Sequence, residues 1–206
     1  MKRLLPGFFL FLSLFVAPVY ADLGPREQVV SVVELLKTEI VANRDVLSKD
    51  TSALRAKADE ILSPLIDFDN FAKNVMGKYY RRATKEQRLE FAKVTKETLL
   101  NSYATALLEF DEDKVKILPL SPSKKKNKAR VNMEFVTDAG SQVDIVFLMK
   151  LNKKQVWLLD NVIISGINFG LTFRKQFASM VQKNKNDIDL AITSWGKSLE
   201  KKANEA

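Results

Sequence analysis

The chain has 206 residues, with 33 Lys and Arg against 25 Asp and Glu, a formal net charge of +8, and neither histidine nor cysteine. Those absences exclude a Ser-His-Asp triad, a Cys-His nucleophile, a CxxC redox pair and any zinc site built on imidazole or thiolate. With 46% hydrophobic residues, 7 Gly and 6 Pro, the composition is that of a globular chain, and its length points to one domain.

The first segment reads as an address. Lys2 and Arg3 precede an apolar run from Leu4 to Val16, Pro18 breaks it, and Val19-Tyr20-Ala21 carries the residues a signal peptidase accepts. The run is shorter than the roughly 20 apolar residues of a spanning helix. Residues 1–21 therefore read as a cleavable secretory signal and residues 22–206 as a single domain. No cysteine follows the run, so there is no site for lipoprotein acylation. An exported chain without thiols fits the bacterial periplasm, and export argues against nucleic acid as the partner of the positive charge.

From Pro25 the pattern is helical. Val29, Val30, Val33, Leu36, Ile40 and Val41 recur at three- and four-residue spacing and make one apolar stripe. Asp50-Thr51 can cap a second helix carrying Leu54, Ala58, Ile61, Leu62 and Leu65, ended near Pro64. A short third helix holds Phe68, Phe71, Val75 and Met76 and stops at Gly77. Thr84 with Gln87 makes a capping box, and the spacing predicts one long helix through Phe91, Val94, Leu99, Tyr103, Leu107 and Phe110.

After Asp111 the period changes from about 3.6 residues to about 2. Val131, Met133 and Phe135 alternate with Asn132 and Glu134, and Val143, Ile145, Phe147, Met149 and Leu151 form a second alternating run. Asp138-Ala139-Gly140-Ser141 and Asn152-Lys153-Lys154 stand where hairpin turns belong. With Val115–Leu118 and Val156–Ile164 this predicts a curved antiparallel sheet of about four strands with one apolar face. Helical spacing returns at Phe169, Phe173, Phe177, Met180 and Val181, and again from Ile188 to Leu199. The order of helices, strands and helices predicts an α+β domain, a cone of the NTF2-like or cystatin-like kind, in which N- and C-terminal helices cover one face of the sheet.

Two segments carry a resemblance, VMGKYYRRATKEQRLEF from Val75 to Phe91 and LLDNVIISGINFGLTFRKQF from Leu158 to Phe177. Through Gly77, Tyr79, Tyr80, Ala83, Thr84 and Gln87 in the first, and Asp160, Gly166, Ile167, Phe173, Arg174 and Phe177 in the second, the chain resembles the MlaC family of periplasmic phospholipid carriers, also described as toluene-tolerance auxiliary proteins. Ser165 stands where that family usually has glutamate, and Phe173 where it usually has tyrosine.

The resemblance implies a monomeric shuttle without cofactor or catalysis. It would move phospholipid between an outer-membrane lipoprotein complex and an inner-membrane ABC transporter, maintaining outer-membrane lipid asymmetry. It also turns a set of apolar residues into a candidate tail cavity: Met133, Phe135, Ile145, Phe147 and Met149 on the sheet, opposed by Phe91, Leu99, Tyr103, Phe173, Phe177 and Met180. Met and Phe adapt in shape to mixed acyl chains. Thr98, Ser102 and Ala106 on the long helix would leave room beside them. Taken singly, each of these residues is better explained by ordinary core packing. Lys78, Arg81, Arg82, Lys85 and Arg88 form a basic rim for head groups or an acidic partner, and Lys124, Lys125, Lys126, Lys128 and Arg130 form a second basic cluster.

Two alternatives use the same fold. One is a carrier of another apolar cargo, such as a hopanoid. The other is a carboxylate-based isomerase, for which Glu134, Asp144 and Asp160 are the acids on strands. Alternation places Glu134 and Asp144 on the polar side, and the Asp160-Asn161 pair reads as a bulge that sets backbone geometry.

Overall fold

The computed structural model describes residues 23–121, 123–137 and 139–203. The expected signal at residues 1–21, and Asp138 of the first expected hairpin turn, lie outside them.

Helix starts follow local chemistry. α1 (Pro25–Leu35) has proline in its first turn, where the missing N–H would have no helical partner. It runs on through a π turn (Leu36–Ile40) and a 3-10 turn (Val41–Asn43) into the short α2 (Arg44–Leu47). α3 (Thr51–Leu62) is capped by Asp50, which accepts from the Ala53 N–H, and a 3-10 turn at Ser63–Leu65 ends it around Pro64. α4 (Phe68–Met76) is capped by Asp67 and stops at Gly77, whose φ of 54° and ψ of −120° suit glycine alone. α5 (Lys85–Tyr103) opens on the reciprocal Thr84–Gln87 capping box. The expected helix does not run through Phe110. α geometry ends at Tyr103, and a 3-10 stretch (Thr105–Glu109) lets Leu107, Leu108 and Phe110 pack with Leu36, Ile40, Leu47 and Leu54.

The sheet is an antiparallel meander in sequence order, β1 (Val115–Ile117), β2 (Lys128–Val136), β3 (Gln142–Leu151), β4 (Trp157–Ile164) and β5 (Ile167–Asn168). It has five strands rather than four. Ser165 and Gly166, at φ 47° and 79°, form a two-residue turn of the hairpin type, and Ile167 and Asn168 pair back onto Ile164 and Ile163. A two-residue strand is too short to leave an alternating signal.

Between β3 and β4 the register slips: Leu148 pairs with Asn161 but Met149 with Leu159, so Asp160 is the extra residue of a bulge. Its carboxylate accepts from the side-chain amides of Asn70 at 2.7 Å and Asn74 at 3.3 Å, which fastens α4 to the sheet. Asn161 Oδ1 accepts from the Gly170 N–H at 2.8 Å, and Asn161 Nδ2 donates to Asn168, the N-cap of α6 (Phe169–Lys183). A Cβ at Gly170 would lie 2.7 Å from that Asn161 oxygen. The bulge pair thus seats two helices on one strand.

α1, α4 and α6 touch the sheet, whereas α7 (Ile188–Ala203) packs on α5 and α6. The helices therefore form a second layer with a core of its own, in which Val75, Phe91, Phe177, Val181 and Trp195 have no exposed surface. Among the described residues, no helix is long and apolar enough to cross a membrane.

Candidate functional site

Two apolar cavities lie between helices and sheet. The first, of ≈ 240 Å³, lies between α1, the turn after α3 and one face of β2 to β4; Val29, Val33, Leu36, Met133, Phe147 and Met149 are in its wall. The second, of ≈ 330 Å³, lies between α4, the C-terminal half of α5, β4 and the start of α6, walled by Phe71, Leu99, Tyr103, Val162, Phe169 and Phe173. Both share Ile66 and Leu159. These two residues are themselves joined by an isolated parallel bridge, so the chain between α3 and α4 forms a partition against β4.

The expected tail-lining residues divide. Met133, Phe147 and Met149 line the first cavity, and Leu99, Tyr103 and Phe173 the second. Phe135 and Ile145 share the sheet face of Met133 and Phe147 in the ladder but stand outside both linings. Phe91 and Phe177 are corrected to core. Their rings lie 4.5 Å apart, Trp195 stacks 5.5 Å from Phe91, and neither phenylalanine has exposed surface. Met180 packs against the same cluster. The partner that closes this core is α7, more than 100 residues from Phe91 in the case of Trp195. Of the small side chains expected to leave room, Thr98 serves the same contact: Gly196 faces Val94 and Thr98, so Thr98 admits a helix rather than a ligand.

Glu134 and Asp144 are cross-strand neighbours, with Glu134 also 3.6 Å from Lys116, and neither lines the two cavities. Asp160 does line the second, but its carboxylate is engaged by Asn70 and Asn74.

The basic rim resolves into parts with different jobs. Lys78 and Arg81 open onto a cleft of ≈ 710 Å³ between the end of α4 and α6, where they meet Lys73, Arg174 and Lys175 with no acid in the lining. Arg174 donates through Nε to the Asn74 carbonyl at 2.6 Å, and its side chain passes 3.2 Å from where a Cβ on Gly77 would be. Arg88 is a clasp: it donates to the Tyr80 carbonyl at 2.8 Å and lies 4.4 Å from that ring. Arg82 stacks over Tyr79 at 5.6 Å. Lys85 is exposed at the first residue of α5. Arg174 and Lys175 could not be placed at this cleft from the sequence, because α6 reaches it only through the fold, whereas Lys73 stands on α4 five residues before Lys78. Ile66 and Leu159 were hidden because they too meet only through the fold.

Residues 31–197 match the family model described as MlaC protein. The toluene tolerance protein Ttg2D of Pseudomonas putida is 31% identical over 190 residues, 92% of this chain and 87% of that protein. The intermembrane phospholipid transport system binding protein MlaC of Haemophilus influenzae is 23% identical over 180 residues, 86% and 83% of the two chains. Among solved structures, the phospholipid-binding protein from Ralstonia solanacearum, in complex with a phospholipid, shares this fold with a TM-score of 0.77 at 19% identity, covering 88% of this chain and 99% of its own. On the family match and the identity to Ttg2D, the chain belongs to the MlaC family.

Proposed function

We propose that this protein is a periplasmic phospholipid carrier, shuttling lipid between an outer-membrane lipoprotein complex and an inner-membrane ABC transporter. The observation that carries the reading is the pair of apolar cavities on either side of the Ile66–Leu159 bridge. Two cavities with a common partition suit a two-tailed lipid, one tail on each side. Each buried methylene contributes about 0.8 kcal/mol, so a tail of roughly 15 carbons gains about 12 kcal/mol on leaving water. No bond is made or broken in such a transfer, and binding needs only apolar walls and a route out. The relatives, a phospholipid transport binding protein and a toluene tolerance protein, support the same cargo and system. The apolar run at Leu4–Val16 supports export.

Lipid extraction from protein purified out of its own periplasm tests the reading. Glycerophospholipid is expected in equimolar amount. Protein that carries no lipid, and takes none from phospholipid vesicles, would overturn it. Turnover of a small ester or ring ketone that disappears on Asp160→Asn would instead favour an enzyme.

A further inference from the structure

Gln28 is the only polar side chain among the described residues that line the cavity between α1 and the sheet. It has no exposed surface, and neither its Nε2 nor its Oε1 finds a hydrogen-bond partner in the protein. Its backbone is fixed in α1 by the bond from its N–H to the Gly24 carbonyl at 2.9 Å, so the residue stays in the wall. A leucine or methionine would fill the same space at no polar cost, whereas an unpaired buried amide is disfavoured. Trp195 Nε1 is also unpaired, but it belongs to the closed aromatic core of the helical layer, with no ligand volume to serve.

The chemistry of a complementary group is narrow. The primary amide offers two N–H donors, so it calls first for an acceptor. A hydrocarbon tail has none. A phosphate has acceptors but carries charge, which a cavity otherwise lined by apolar side chains, with no cation, cannot compensate. Between them in an acyl glycerolipid stands the ester carbonyl, neutral, acceptor-only, and attached at the top of the tail. Resting on the carrier reading above, we propose that Gln28 Nε2 donates to an acyl ester carbonyl of the bound lipid. This contact fixes how deep one tail enters the α1–sheet cavity and selects ester-linked over ether-linked tails.

Competition between diester and diether phosphatidylglycerol of equal chain length, offered together in vesicles and read by mass spectrometry of the bound fraction, tests this. The wild type should favour the diester about fivefold, the equivalent of roughly 1 kcal/mol for one neutral hydrogen bond. Gln28→Leu should still load lipid but take both forms equally. A wild type without preference, or a Gln28→Leu protein that keeps it, overturns the assignment while leaving the carrier reading intact. A wild type that loads neither lipid removes the carrier reading itself. Infrared spectra of the wild type loaded with ¹³C-carbonyl-labelled diester lipid guard against a variant that fails to fold. A carbonyl band displaced to lower frequency relative to the same ester in hydrocarbon solvent is expected, and an undisplaced band counts against the contact.

Discussion

Phe147 and Leu99 stand on opposite sides of the Ile66–Leu159 partition, one in each cavity wall. A guanidinium placed at either position would sit among apolar side chains without a counter-charge, at a cost of several kcal/mol if it stays buried. Phe147→Arg and Leu99→Arg should therefore each lose diacyl phospholipid while each retains a single-tailed lysophospholipid in the untouched cavity. Lipid analysis of the two folded variants checks this, and loss of the lysolipid from both would show that the cavities do not hold tails separately. Phe177→Ala should behave differently. Its ring is packed between Phe91 and Trp195, so the loss should fall on stability, about 3–5 kcal/mol, readable by urea unfolding. Residue type alone did not distinguish Phe177 from Phe147, because both are aromatic residues at apolar positions. What separates them is Trp195, a distant residue that fills one space and not the other. Gln28 did leave a trace, since it stands four residues before Val32 and eight before Leu36, on the apolar side of α1.

At the scale of elements, charge and caps hold helices to one another. Lys96 of α5 lies 2.7 Å from Asp59 of α3, and Ser63 also donates to that carboxylate. Burial works against ionisation of Asp59 and is the largest single influence, yet the hydrogen bonds and charge around it together hold its pKa below the ordinary 3.8. A carboxyl lowered on folding contributes stability above its unfolded-state pKa and loses it as pH falls through the folded value. Both partners remain about a third exposed, so Asp59→Asn should cost only about 0.5 kcal/mol near neutral pH. The difference from wild type should vanish under strong acid in a pH series of urea unfolding curves. Thr84→Ala, which removes one half of the capping box, should cost about 1 kcal/mol at every pH. Such caps are short-range chemistry, and this is why Asp50 and Thr84 marked helix starts in the sequence. The bulge at Asp160-Asn161 was legible for the same reason. The turn into β5, the tightening after Tyr103 and the seat of α7 depend on pairing and packing between distant segments, which no local pattern encodes.

Across the whole molecule, the positive charge and the apolar cavities occupy different sides of α4. Phe71 faces the second cavity, while Lys73, Gly77 and Lys78 border the cationic cleft. Asn74 joins the two sides: its amide donates to Asp160 in the cavity wall, and its carbonyl accepts from Arg174 in the cleft. This separation allows the charge of the cleft to be changed without touching the cavities, provided the residues chosen carry no structural load. Arg88 fails that condition because it clasps Tyr80, and Arg82 fails it by covering Tyr79. Arg81 and Lys175 meet it, being exposed and without an ion pair among the described residues. Rim charges of this kind act mainly on association rate and are screened over a Debye length of roughly 8 Å at physiological salt. Arg81→Glu combined with Lys175→Glu should leave lipid content unchanged and slow capture by the purified inner-membrane transporter complex, and the wild-type capture rate should fall as salt is raised. Lipid content and capture rate measured on the same double variant separate the possibilities. Lost lipid with intact capture would move the cleft from partner docking to head-group binding. No change in either would make it a solvated surface whose charge serves solubility alone.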